Sequence, residues 1–128
     1  AGKFEMELSQ LNDPEEIAFF MADMGIQESA RDRLCNAAYE LLGYISFFTV
    51  GYDEVRAWSL QAGQNVIAAA GTIHTDLARG FIRAECISYD DLMLYGSENQ
   101  VRERGLRRLE GRKDIVQDGN VLNIRFNV

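Results

Sequence analysis

Apolar and polar positions change their period several times along this chain, and the changes divide it into elements. Asp13-Pro14-Glu15-Glu16 places a capping acid, a proline at the first helical position and a glutamate three residues after the cap, a standard helix start. The helix it predicts carries Ile17, Phe20 and Met21 and stops before Gly25. Ser29 with Asp32 caps a second helix, in which Leu34, Ala37, Ala38, Leu41 and Leu42 form an apolar stripe ending at Gly43. Residues 1–43 therefore read as a helical hairpin.

From Tyr44 the period becomes that of strands. Tyr44–Val50 is aromatic and β-branched, Gly51-Tyr52-Asp53 is a turn, and Glu54–Leu60 alternates as a second strand. In that strand Val55, Ala57 and Ser59 share one face and Arg56 and Trp58 the other. Val66, Ala69, Ala70, Ile73 and Leu77 then fall on one face of a helix, which Gly80 is expected to end in the left-handed conformation. Phe81–Ile87 alternates again, with Ile82, Ala84 and Cys86 opposite Arg83 and Glu85. Ser88 and Ser97 cap two short helices. Asp118-Gly119-Asn120 is read as the turn between two closing strands, the last with Leu122, Ile124, Phe126 and Val128 on one face. Two hairpins flanking one crossover helix predict an α+β, β-grasp (ubiquitin-like) sheet. No internal repeat or low-complexity tract interrupts the pattern.

Composition narrows the function classes. With 47% hydrophobic and 26% charged residues in 128, and one proline, the chain is neither disordered nor collagen-like. No apolar run reaches the roughly 18–20 residues of a membrane span, and nothing reads as a signal peptide. Two cysteines without CxxC spacing, Cys35 and Cys86, point to free thiols in a reducing, cytoplasmic compartment. The first residues, Ala1-Gly2-Lys3, lack a methionine and read as the start of a fragment.

The net charge of −7 is uneven. Residues 1–43 set nine acids against Lys3, Arg31 and Arg33, whereas Arg102, Arg104, Arg107, Arg108, Arg112 and Lys113 oppose only Glu103 and Glu110. Such a stretch is a solvated face or a binding site for nucleic-acid phosphates. Arg56, Trp58, Arg79 and Arg83 are candidates to extend it, Trp58 as a stacking platform on the sheet face opposite the helix. The single histidine, His74, has too few neighbouring ligands for a metal site and no base-orienting partner for a Cys86 dyad. His74, Asp76 and Gly80 are therefore read as structural, fixing the corner into the third strand. No catalytic, cofactor or metal residue is assigned.

Three segments carry a family resemblance: "FFTVGYDEVRAWSL" (Phe47–Leu60), "AAAGTIHTDLARGFIRAEC" (Ala68–Cys86) and "RLEGRKDIVQDGNVLNIRFNV" (Arg108–Val128). In order and spacing they resemble the C-terminal region of the YchF subfamily of Obg-related P-loop NTPases. That region is a TGS domain, a β-grasp module also found in threonyl-tRNA synthetases and stringent-response synthetases. Gly2, Leu77-Ala78-Arg79, Asp114 and Asn120 depart from the family pattern. "AGKFEMEL" (Ala1–Leu8) is similar, more weakly, to the end of the family's NTPase domain, with Lys3 in its base-recognition loop.

The resemblance implies two regions: 1–43, the end of the NTPase domain with its connecting helices, and 44–128, the TGS domain. It also implies a parent that hydrolyses ATP or GTP with magnesium and associates with ribosomes or RNA, without DNA specificity or membrane attachment. This chain has no G-x-x-x-x-G-K-[ST] loop, so hydrolysis by the chain itself is not expected. The function expected is ribosome or RNA binding with regulation of the NTPase. The alternative is a protein-interaction module, or one docking on its own NTPase domain, that does not touch RNA. Contiguous positive charge would favour the first, and an exposed apolar patch the second.

Overall fold

The computed structural model describes residues 2–127, and the chain separates into two compact units, Ala1–Leu42 and Gly43–Val128. At the junction Leu42 caps the preceding helix, and Gly43 takes a positive φ of 71°, the left-handed residue that commonly follows a helix.

The first unit holds α1 (Gly2–Leu8), α2 (Pro14–Asp23) and α3 (Ala30–Leu41). The expected caps form: Asp13 accepts from the Glu15 N–H, and Ser29 accepts from the Asp32 N–H while donating to its carboxylate. Helix α1 has no counterpart in the pattern-based reading, which assigned no element there. Its Glu5 carboxylate accepts from the Ala30 N–H and ties it to the start of α3. The apolar stripe of α3 stays exposed, with Leu41 88% accessible and Leu34 and Leu42 also open.

The second unit is a five-stranded sheet in the order β2-β1-β5-β3-β4, with β1 at Tyr44–Val50, β2 at Val55–Gln61, β3 at Phe81–Ser88, β4 at Arg108–Glu110 and β5 at Asn120–Phe126. Strands β1 and β2 form a hairpin in register from Tyr44↔Gln61 to Val50↔Val55. Strand β5 lies parallel to β1 and antiparallel to β3. Helix α4 (Val66–Ile73) crosses one face and buries Val66, Ala69 and Ala70 against Phe47, Leu60, Phe81, Ala84, Cys86, Val116 and Leu122. The two alanines let the helix backbone sit close to the sheet, so a larger side chain at either would overpack it. This is the expected β-grasp.

Several local expectations fail for identifiable reasons. The helix expected through Leu77 breaks at His74, whose backbone is extended (φ −164°, ψ 142°), and restarts as α5 (Thr75–Arg79). Gly80 has φ −90°, so it does not use the left-handed conformation. A bulge in β3 sets Phe81 opposite Phe126 and Arg83 opposite Arg125. Ile82 is thus an extra residue without a partner and turns outward, 59% exposed. The closing hairpin is absent, because β3 lies between β4 and β5 and is antiparallel to both. Asp118 and Gly119 instead bind Ser46 of β1, the Asp118 carboxylate accepting from the Ser46 N–H and the Ser46 carbonyl accepting from Gly119. Of the last strand's expected apolar face, Leu122 is buried and Ile124 packs on the core, whereas Phe126 is largely exposed. Val128 lies outside the described residues.

The other sheet face carries a second core that the alternation argument overlooked. Ile87, Val121 and Val101 are buried there with Phe48, Leu92 and Tyr95 packed around them, under α6 (Tyr89–Tyr95) and α7 (Glu98–Glu103). Ser88 and Ser97 cap these helices as expected. No described helix is long and apolar enough to cross a membrane.

Candidate functional site

Strand alternation decides where the basic residues go. Consecutive strand residues point to opposite faces, and the run from Arg102 to Lys113 passes from α7 through β4 into the following connection, so its side chains are divided between the two sides of the sheet. Arg107 reaches the α7 side, where its guanidinium lies 3.2 Å from the Glu85 carboxylate. Arg108 turns to the α4 side, donating to Glu110 at 3.0 Å and to the buried Cys86 Sγ at 3.5 Å. Burial pushes the Cys86 thiol above its ordinary pKa, although Arg108 pulls it the other way. Arg112 also belongs to the α4 side, donating to the Phe81 carbonyl at 3.0 Å with its guanidinium over the Phe81 ring. Lys113 is exposed in the connection between β4 and β5.

Trp58 is not on the face opposite α4. It pairs with Phe47 across the hairpin, stacks on that ring at 6.5 Å, and packs against the α4-side core. Its indole N–H donates to Thr49, and Arg56 covers the ring at 4.5 Å. The signal for this was the side chain across the hairpin, since Phe47 and Trp58 must share a face once the register is known.

His74 and Asp76 lie at the corner where α4 ends and α5 begins, His74 flanking both helices. The His74 Nδ1 accepts from the Asp76 N–H at 3.1 Å and so caps α5. The Asp76 carboxylate pairs with Arg79 at 2.9 Å. Gly80 closes the turn by donating to the Asp76 carbonyl and accepting from the Asn127 N–H.

The arginines that do converge are on the α7 side. Arg83 and Arg125 sit directly opposite each other on β3 and β5, and Arg125 lies 3.3 Å from Glu85. The same Glu85 oxygen therefore holds Arg107 and Arg125 together. Arg102, Asn99 and the acidic Glu98 from α7, with Asn123 of β5, line a depression of about 140 Å³ together with Glu85, Arg107 and Arg125, over an apolar floor that includes Ile87 and Val121. Arg104 lies on the neighbouring helix surface, over the Tyr95 ring at 4.5 Å. Arg125 was missed as a candidate, although the alternation that buries Leu122 and packs Ile124 sets Asn123 and Arg125 on the opposite face. Among the described residues no group of three or more His, Cys, Asp or Glu could hold a metal ion.

Residues 44–127 match the family model YchF-GTPase_C, described as a protein of unknown function (DUF933). The chain belongs to the YchF family. It is similar to proteins named ribosome-binding ATPase YchF, at 47% identity to that of Bacillus subtilis over 98% of the chain and 44% to that of Escherichia coli O157:H7 over 97%. The chain spans about a third, 34%, of the length of each of these relatives. A solved structure of the Schizosaccharomyces pombe YchF GTPase superposes with a TM-score of 0.85 and 30% identity, covering 95% of this chain and 32% of that one. A GTP-binding protein from Pyrococcus horikoshii, 19% identical with a TM-score of 0.51 over 88% of this chain and 28% of that one, shares the fold. The chain is thus the C-terminal region of a YchF-type protein, and its sheet is the family's β-grasp.

Proposed function

We propose that this chain is the C-terminal part of a ribosome-binding ATPase or GTPase, and that its β-grasp sheet meets ribosomal RNA through the arginine-bearing face. In this reading residues 1–43 are the end of the NTPase domain with its connecting helices, and 44–128 are the TGS domain. The observation that carries it is the convergence of Arg83, Arg102, Arg107 and Arg125 on one sheet face, with Arg104 beside them. Guanidinium groups bind RNA phosphates by charge-assisted, often bidentate hydrogen bonds and read little sequence. The relatives' names, which include ribosome binding, align with nearly the whole chain. Arg56, Trp58, Arg79, Arg108, Arg112 and Lys113 take a lesser part, because they lie away from this cluster or are engaged with their own neighbours. A cytoplasmic location follows from such a partner.

ATP or GTP with magnesium belongs, in this proposal, to the rest of the parent protein. The residues present do not fit the nucleotide, since they include neither a phosphate-cradling P-loop nor, among those described, an acidic cluster for a metal. No hydrolytic step is assigned to them. A second reading, docking on the parent's own NTPase domain, is favoured by the exposed Leu34, Leu41 and Leu42.

Ribosome co-sedimentation over a salt series tests the proposal. Binding should weaken as salt rises, and charge reversal at Arg102 and Arg104 should reduce it. Salt-insensitive binding, or none, would overturn the RNA contact. Calorimetry should show no ATP or GTP binding by the chain, and micromolar affinity would contradict the assignment of the nucleotide site elsewhere.

A further inference from the structure

Three guanidiniums, those of Arg102, Arg107 and Arg125, share the depression with two carboxylates, Glu98 of α7 and, held between two of the arginines, Glu85. Its side chain is 17% exposed, and one of its oxygens contacts both Arg107 and Arg125. Two positions along β3 on the same face, Arg83 sits directly opposite Arg125. Like charges directly across a strand pair are destabilising, and Glu85, through its contact with Arg125, offsets part of that cost. Each guanidinium has five N–H donors, and one contact apiece to Glu85 leaves the others of Arg107 and Arg125 free to meet a ligand. Arg102 faces the same depression and makes no ion pair among the described residues. At about 140 Å³ the depression is smaller than the roughly 300–1,000 Å³ of pockets that enclose drug-sized ligands. It suits one small tetrahedral anion rather than a whole nucleotide.

We propose that this depression is a phosphate-binding subsite for a single backbone phosphate of RNA, in which Arg102, Arg107 and Arg125 are the ligands and Glu85 is a positioning residue. The RNA source rests on the proposed ribosomal function; the affinity for phosphate does not. Glu85 orients the two guanidiniums that it holds, so that the entropy of ordering two long side chains is spent before the phosphate arrives. The consequence runs against simple electrostatics. Glu85→Gln makes the face more positive, which by charge alone would strengthen anion binding. If Glu85 is a positioning residue, the same substitution weakens it.

The test is a titration of the full chain with inorganic phosphate, and separately with a short RNA hairpin, followed by NMR of the arginine Nε–H and backbone amide signals. Expected are shifts centred on Arg102, Arg107, Arg125, Asn99 and Asn123, with affinity weakened about three- to tenfold in Glu85→Gln and in Arg102→Ala, a fraction of a charge-assisted hydrogen bond's usual contribution. Arg102→Ala removes a side chain with no ion pair in the described structure, so it keeps the test decisive if Glu85→Gln fails to fold. Equal or tighter phosphate binding by a folded Glu85→Gln would overturn the positioning role. Shifts centred on Arg79, Arg108 or Arg112, or no response to Arg102→Ala, would overturn the subsite. Ribosome binding without phosphate binding would also overturn the subsite while leaving the proposed function standing. Phosphate binding without ribosome or hairpin binding would overturn the RNA source alone.

Discussion

Replacing His74 by alanine separates a structural histidine from a chemical one. The only histidine of the chain interrupts what would otherwise be one helix, and its Nδ1 accepts from the Asp76 N–H at 3.1 Å. Loss of a side-chain cap usually costs about 0.5–2 kcal/mol. Here the lower half of that range applies, because the corner is exposed and water can satisfy the Asp76 N–H. The Asp76–Arg79 pair survives the change but is also exposed, and such pairs contribute about 0–1 kcal/mol. Against that, α5 seats Leu77 and Ala78 on the core, so fraying propagates inward. The sum is a destabilisation of about 1 kcal/mol, or a fall in Tm of roughly 4–8 °C for a domain of this size. Urea and thermal unfolding of the chain read it directly. His74→Asn, whose short side chain is a good cap, should recover most of the loss. An unchanged midpoint in His74→Ala, or equal damage from asparagine, would refute the capping account. Loss of ribosome binding by His74→Ala at unchanged stability would make the histidine functional.

Other outcomes follow from the same structure. Phe47 of β1 is fully buried in the core under α4, so Phe47→Ala should cost about 3–5 kcal/mol in urea unfolding. Ala69→Leu, at a fully buried position on the sheet-facing side of α4, should cost about 1–3 kcal/mol by overpacking. Burial raises the Cys86 pKa above its ordinary 9.0, so the folded state holds this proton more tightly than the unfolded chain. The stabilisation is complete below pH 9.0 and is lost as pH rises from there through the folded-state value; Cys86→Val should remove that part of the alkaline decline in an unfolding series.

The architecture was legible in the sequence because its signals are local. Asp13, Ser29, Ser88 and Ser97 cap helices where their positions implied, and Tyr44–Val50 forms the strand that its β-branched and aromatic residues foretold. What escaped was non-local. Asp118-Gly119 has hairpin chemistry, but its partner is Ser46 of β1, more than seventy residues away, because β3 occupies the place a hairpin would need. The bulge that expels Ile82 depends on the pairing of β3 with β5. The candidate site shows the same limit. A run of arginines from 102 to 112 suggested one patch, but Arg108 enters β4 and reaches Cys86 while Arg107, just before the strand, reaches Glu85 on the opposite face. The cluster that forms draws Arg83 and Arg125 from strands far apart in sequence, and only the register brings them together.

The arginine-bearing sheet face is tested most directly by ribosome co-sedimentation of two charge-reversed chains, each first shown to be folded. One carries Arg102→Glu with Arg125→Glu, on the proposed face; the other carries Arg56→Glu with Arg112→Glu, on the α4 side. The account predicts that the first loses salt-sensitive binding while the second keeps most of it. Equal losses in both, or a greater loss in the second, would contradict it.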